Sequence, residues 1–127
     1  MVLRPCKASA DWSHRCPVRD VLDRVSDRWS VLVLHTLQPG TMRFTELKRA
    51  IGDISQRMLA QTLRRLEEDG MVTRTVHPTV PPKVEYTLTP LGASLMEQME
   101  GLVRWASINH DAVRQARSRY AEAVSLD

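Results

Sequence analysis

A chain of 127 residues, 43% hydrophobic and 26% charged, has the composition of one ordinary globular domain that folds without a disulfide or metal staple. Its longest apolar run, Val31 to Leu34, is far too short to span a bilayer, and the basic Arg4 and Lys7 are followed by no apolar stretch of leader length, so a cytoplasmic protein is expected. A formal charge of +3 suits a polyanionic partner without demanding one.

Residues 1–15 read as an N-terminal arm and 16–127 as a single domain. From Pro17, the spacing of Val18, Val21, Leu22 and Val25 predicts a helix with one buried face. Trp29, Leu32, Val33 and Leu37 repeat the pattern over about Asp27 to Gln38, with Ser26 or Asp27 as the cap and Pro39-Gly40 as the stop. A short extended piece, Met42 to Phe44, precedes a helix capped by Thr45, carrying Leu47 and Ile51 inward and closed by Gly52. Ser55 caps the next helix, unless Asp53 and Gln56 form a capping box two residues earlier. On it Leu59, Leu63 and Leu66 share one face, while Arg57, Gln61, Arg64 and Glu68 point away at 100° per residue. Gly70 stops it.

The period then changes to two. Val72, Arg74 and Val76, and later Val84, Tyr86 and Leu88, alternate with polar neighbours and predict a hairpin. The connecting Pro78-Thr79-Val80-Pro81-Pro82 cannot donate ladder hydrogen bonds at its prolines and should form a stiff tip. Thr89-Pro90 starts a last helix, about 90–120, whose Leu91, Leu95, Met99, Leu102, Val103 and Ala106 form an apolar stripe. The expected fold is mainly α with a small β hairpin, an α+β winged helix-turn-helix with N- and C-terminal dimerisation helices.

In that geometry the helix after the Gly52-Asp53-Ile54 turn enters a major groove with its N-terminal residues nearest the bases. Ser55 and the free amides beside it suit a phosphate. Gln56, Arg57, Met58, Gln61, Thr62 and Arg65 are the candidates for base edges, arginine suiting guanine and glutamine adenine. Thr79 and Lys83 on the wing, with Arg43 on the short strand, would contact backbone. Arg64 reads instead as part of a solvated, ion-paired face, and Met58 suits the core equally well.

The runs Cys16-Pro17-Val18, Asp27-Arg28-Trp29, Arg43-Phe44-Thr45-Glu46-Leu47, Ile54-Ser55-Gln56-Arg57-Met58-Leu59, Leu66-Glu67-Glu68-Asp69-Gly70-Met71-Val72 and Val84-Glu85-Tyr86-Thr87-Leu88-Thr89-Pro90-Leu91-Gly92 resemble the HxlR-type winged-helix regulators. The likeness runs from about Cys16 to the end of the last helix, and Asp27 departs from the glycine that many of these regulators carry there. It implies a homodimeric bacterial transcription factor on a palindromic double-stranded operator, with dimer contacts from the first and last helices: Val18 and Leu22, then Leu102, Val103 and Ala106. Some members sense electrophiles or oxidants through a cysteine just ahead of the first helix, where Cys16 stands. Arg15, Arg19 and the helix start favour its thiolate, yet a plain structural thiol stays open, as does a disulfide partner role for Cys6.

Cys6, His14 and Cys16 are metal-ligand types without a fourth ligand at a useful spacing, and no nucleophile-base pair or glycine-rich phosphate loop is present. Neither a metal, another cofactor, nor catalysis is expected. Two alternatives use the same fold: a winged-helix module that binds protein, and a dimer that carries a hydrophobic ligand or small-molecule inducer at its interface. Basic and amide side chains at Arg57, Gln61 and Arg65 argue against the first, and an aromatic content of only 5% against the second.

Overall fold

The computed structural model describes residues 17–125, so the arm with Cys6, and Cys16 itself, lie outside the described residues. The elements run α1 (Pro17–Val25), α2 (Arg28–Thr36), β1 (Met42–Arg43), α3 (Phe44–Ile51), α4 (Gln56–Glu68), β2 (Val72–His77), β3 (Lys83–Leu88) and α5 (Pro90–Ser125). This is the expected order, mainly helical with a small sheet. The sheet gains a third strand, because β1 pairs antiparallel with β3 through Met42↔Tyr86 and Arg43↔Glu85 and gives the order β1-β3-β2. The hairpin register runs from Val72↔Leu88 to His77↔Lys83, which leaves Pro78 to Pro82 as the tip.

Two compact units divide the chain, one up to Ala93 and one from Ser94. The core of the first is made by Val33 and Leu34 from α2 and Leu37 just after it, Leu47 from α3, Leu59, Leu63 and Leu66 from α4, with Ile54 from the turn and Val72 from β2. α2 packs against both α3 and α4, and α4 leads into β2. In the second unit the described residues are one unbroken stretch of α5, which extends five residues past the expected end near 120.

Local chemistry explains the boundaries. Asp27, not Ser26, caps α2: Oδ1 accepts from the Trp29 and Ser30 amides at 3.0 and 2.9 Å, and Oδ2 from the Ser30 hydroxyl at 2.7 Å. Leu37 and Gln38 therefore lie beyond the helix, whose last turn is already closed by the bond from Leu37 N–H to Val33 C=O. Thr45 falls inside the first turn of α3 rather than capping it. There the Glu46 carboxylate reaches back to accept from the Arg43 amide at 2.9 Å. α4 ends in a Schellman motif, Met71 N–H to Leu66 C=O and Gly70 N–H to Glu67 C=O, with Gly70 at φ 76°.

The apolar stripe of α1 does not face the core as expected: only Val25 is buried, while Val18, Val21 and Leu22 are exposed. Leu32 and Leu91 are likewise exposed. Thr89 fastens the start of α5. Its amide donates to Met71 C=O, its hydroxyl donates to Gly70 C=O at 2.6 Å and accepts from the Gly92 amide at 3.0 Å. That docking leaves no room at Gly92, where a Cβ would run into the Met71 carbonyl oxygen, a backbone atom that cannot swing aside. Gly92→Ala is accordingly expected to lower stability by about 1–3 kcal/mol in a urea or thermal unfolding measurement; an unchanged midpoint would show that the α4–β2 turn and the α5 start are not held this closely.

Candidate nucleic-acid interface

α3, the turn Gly52 to Ser55 and α4 form the helix-turn-helix, and the β2–β3 hairpin is the wing. Ser55 is the N-cap of α4, its Oγ accepting from the Met58 amide at 3.0 Å, which settles the boundary against Asp53 and Gln56. The hydroxyl hydrogen is left to donate, and the first-turn amides of Gln56 and Arg57 have no intrahelical acceptor. One helix end thus offers several donors to an anion.

The rotation of α4 is fixed by Leu59, Thr62, Leu63 and Leu66, all buried. Opposite them Arg57, Gln61, Arg64 and Glu68 form one exposed row, with Gln56 at its start and Met58 half-buried at its edge. Two sequence expectations need correction. Thr62 is 0% exposed with its Oγ1 sealed off from solvent, so it faces the core and cannot reach a base edge. Arg65 is half-buried and turned toward α2, its guanidinium 3.9 Å from the Asp27 carboxylate and its Nε buried. Arg64, by contrast, is exposed on the same row as Arg57 and Gln61. It stands seven residues after Arg57 on the same exposed face, and no ion pair holds it among the described residues. The 57, 61, 64 spacing was the available signal.

Glu68 would put a negative charge on this row, but Arg24 neutralises it. Arg24 donates from Nε to Asp69 at 2.8 Å and from Nη2 to Glu68 at 3.1 Å, and these bonds, that to Asp69 first, push its guanidinium above the ordinary arginine value.

Arg43, Thr79 and Lys83 come together around one cleft of about 570 Å³ between the start of α3 and the wing, with Phe44 and Pro81 also in its lining. The Thr79 hydroxyl donates to Pro81 C=O at 2.8 Å, bracing the tip. Glu85 holds His77 Nε2 at 2.5 Å and Lys83 Nζ at 3.9 Å, so one carboxylate gathers both side chains at the base of the tip. Val18 and Leu22 are exposed on α1, and Leu102 and Ala106 on α5, with Val103 half-exposed. The described residues hold no cluster of three potential metal ligands, and no described helix is long and apolar enough to cross a membrane.

This geometry defines a transcriptional regulator of the helix-turn-helix type. The family model described as HxlR-like helix-turn-helix matches residues 24–114, and the chain belongs to that family. It is 46% identical over 110 residues to the HTH-type transcriptional regulator YtfH of Escherichia coli strain K12, a match covering 87% of each chain. Among solved structures it is similar to the transcriptional regulator ytfH from Salmonella typhimurium, with TM-score 0.75, 45% identity and coverage of 83% of this chain and 94% of that one. It is also similar to the redox regulator HypR in its reduced form, with TM-score 0.74, 38% identity and coverage of 79% and 99%.

The Asp27 that departs from the expected glycine is thus the hinge between capping and α4. Burial pushes its carboxyl up, but the Ser30 hydroxyl and amide, Arg65 and the Trp29 amide together hold it below the usual carboxylate value. A lowered carboxyl stabilises the fold above its unfolded pKa, about 3.9, and that contribution is lost as pH falls through the folded value. Asp27→Ala should therefore be about 1–2 kcal/mol less stable than the native protein at pH 7. The gap should narrow below about pH 4; a gap independent of pH would show that the charge contributes nothing.

Proposed function

We propose that the chain is a sequence-specific regulator that binds a palindromic double-stranded operator as a homodimer. The row of Arg57, Gln61 and Arg64 on the exposed face of α4, directly opposite the buried leucines, carries this reading. Arginine and glutamine present forked donors that match guanine and adenine edges in a major groove. Gln56 and Met58 flank the row, Ser55 and the helix start take a phosphate, and Arg43, Thr79 and Lys83 hold the neighbouring backbone from their common cleft.

Homodimerisation is supported by apolar surface that no described segment covers. Leu102 is 59% and Ile108 72% exposed on α5, and α1 leaves Val18 and Leu22 in water. On α5, Leu102, Ala106, Asn109, Val113, Ala116, Tyr120 and Ala123 follow one another at alternating steps of four and three, the seam spacing of paired helices. A two-fold pairing through α1 and α5, with Val103 beside the seam, would present two copies of α4 to successive major grooves.

Selection of genomic fragments with the purified protein at two salt concentrations tests this directly. The expected result is enrichment of one palindromic motif, with affinity falling steeply as salt rises. Weak binding without a motif would favour a protein-binding or ligand-carrying dimer.

The likeness to a redox regulator supports a thiol-based signal, for which Cys16 is the sensor candidate and Cys6 a disulfide partner. Cys16→Ser is expected to abolish the response of operator binding to diamide or a quinone while binding itself persists; a retained response would remove Cys16 from that role.

A further inference from the structure

The C-terminal half of α4 is tied to the α1–α2 junction by two charge contacts of opposite polarity. Arg24, in the last turn of α1, holds Asp69 and Glu68, while Asp27, at the start of α2, faces Arg65. Following the junction forward from Arg24 to Asp27, the partners run backward by one turn along α4, from its C-cap Asp69 to Arg65. A slip of α4 by that one turn in one direction would set Arg65 against Arg24 and the neutral Gln61 against Asp27, and in the other would set Asp69 against Asp27. The contacts therefore allow one axial register, and the rotation they favour is the one that turns Arg57, Gln61 and Arg64 outward.

The placement is costly in a way that core packing does not require. Thr62 Oγ1 and Arg65 Nε are both buried without a hydrogen-bond partner, whereas apolar side chains there would leave no polar atom stranded. Asp27 also fills two roles at once. The same carboxylate that caps α2 through the Trp29 and Ser30 amides faces Arg65, so the start of α2 and the middle of α4 are held to a single group.

The geometry points to Asp27 and Arg65 as positioning residues that set the register of α4, and through it the reach of Arg57, Gln61 and Arg64, without either one touching DNA. This rests on α4 reading DNA as proposed above.

Three variants of the full chain test it. Asp27→Asn keeps a good cap and removes the charge, Arg65→Met removes the charge and keeps the length, and Arg65→Lys keeps both. Affinity is measured for the selected operator and for an unrelated duplex across a salt series, and amide hydrogen exchange is measured on the protein alone. Asp27→Asn and Arg65→Met should each lower the operator-to-unrelated ratio by about tenfold, and the double variant no further than either single one. Arg65→Lys should restore the ratio, the salt slope should stay unchanged throughout, and amides of α4 should exchange faster than those of α3 in the two neutralised variants. Additive losses, an unchanged ratio, or a salt slope reduced by about one in Arg65→Met would overturn the proposal, the last by marking Arg65 as a phosphate contact. If the native chain selects no operator, the DNA reading falls separately, and unchanged exchange in Asp27→Asn would still overturn the positioning role.

Discussion

Leu59, Leu63 and Leu66 must leave water together, and a helix can satisfy that demand in only one rotation. Each buried leucine is worth about 1.5–3 kcal/mol, so turning α4 by even a third of a revolution would forfeit several times the energy of any surface contact. α2 and the turn residue Ile54 supply the other side of that core. Everything that makes the exposed row chemically coherent follows from this constraint, since a residue three or four places from a buried leucine has no choice about which way it faces. The order of the elements then places the wing beside α3 rather than elsewhere, because β1 is stitched to β3 immediately before α3 begins.

Polar groups refine what the apolar core sets coarsely. Asp27, Ser55 and Thr89 each close a helix start, and Glu46 does the same from inside its helix. Their spacing along the chain makes the first unit a series of short rigid rods with defined entry points, which a groove-reading surface needs. The ion pair of Arg24 with Glu68 is exposed and contributes little to stability, but it cancels the charge of Glu68 on a face otherwise basic or neutral. Glu85 plays a comparable part in the hairpin, holding His77 and Lys83 around one carboxylate.

Local periodicity was enough to read α4, the hairpin and the start of α5, because in each the buried positions recur within a few residues. It failed where the deciding partner is distant. The polar hydroxyl of Thr62 argued for solvent, yet its place beside Leu66 on the helix wheel, at the edge of the leucine face, put it inside. Arg65 looked like a base reader because Asp27, thirty-eight positions earlier, is visible only once α2 and α4 are packed. The stripe of α1 predicted a buried face, yet Val18, Val21 and Leu22 are exposed, because a periodic pattern says nothing about whether the same chain supplies the cover. β1 was legible as a short extended piece, but two residues carry no alternation that would name a partner; only the packed fold pairs it with Tyr86 and Glu85.

The most direct test of this account is the affinity of the native protein and of Arg57→Ala for every single-base-pair variant of the selected operator. If Arg57 reads a base from the exposed row of α4, the alanine variant loses about 1–3 kcal/mol on the operator and becomes indifferent at one position in each half-site, ranking all other positions as the native protein does. A uniform loss at every position, with the base preferences intact, would contradict the claim that this face of α4 reads sequence.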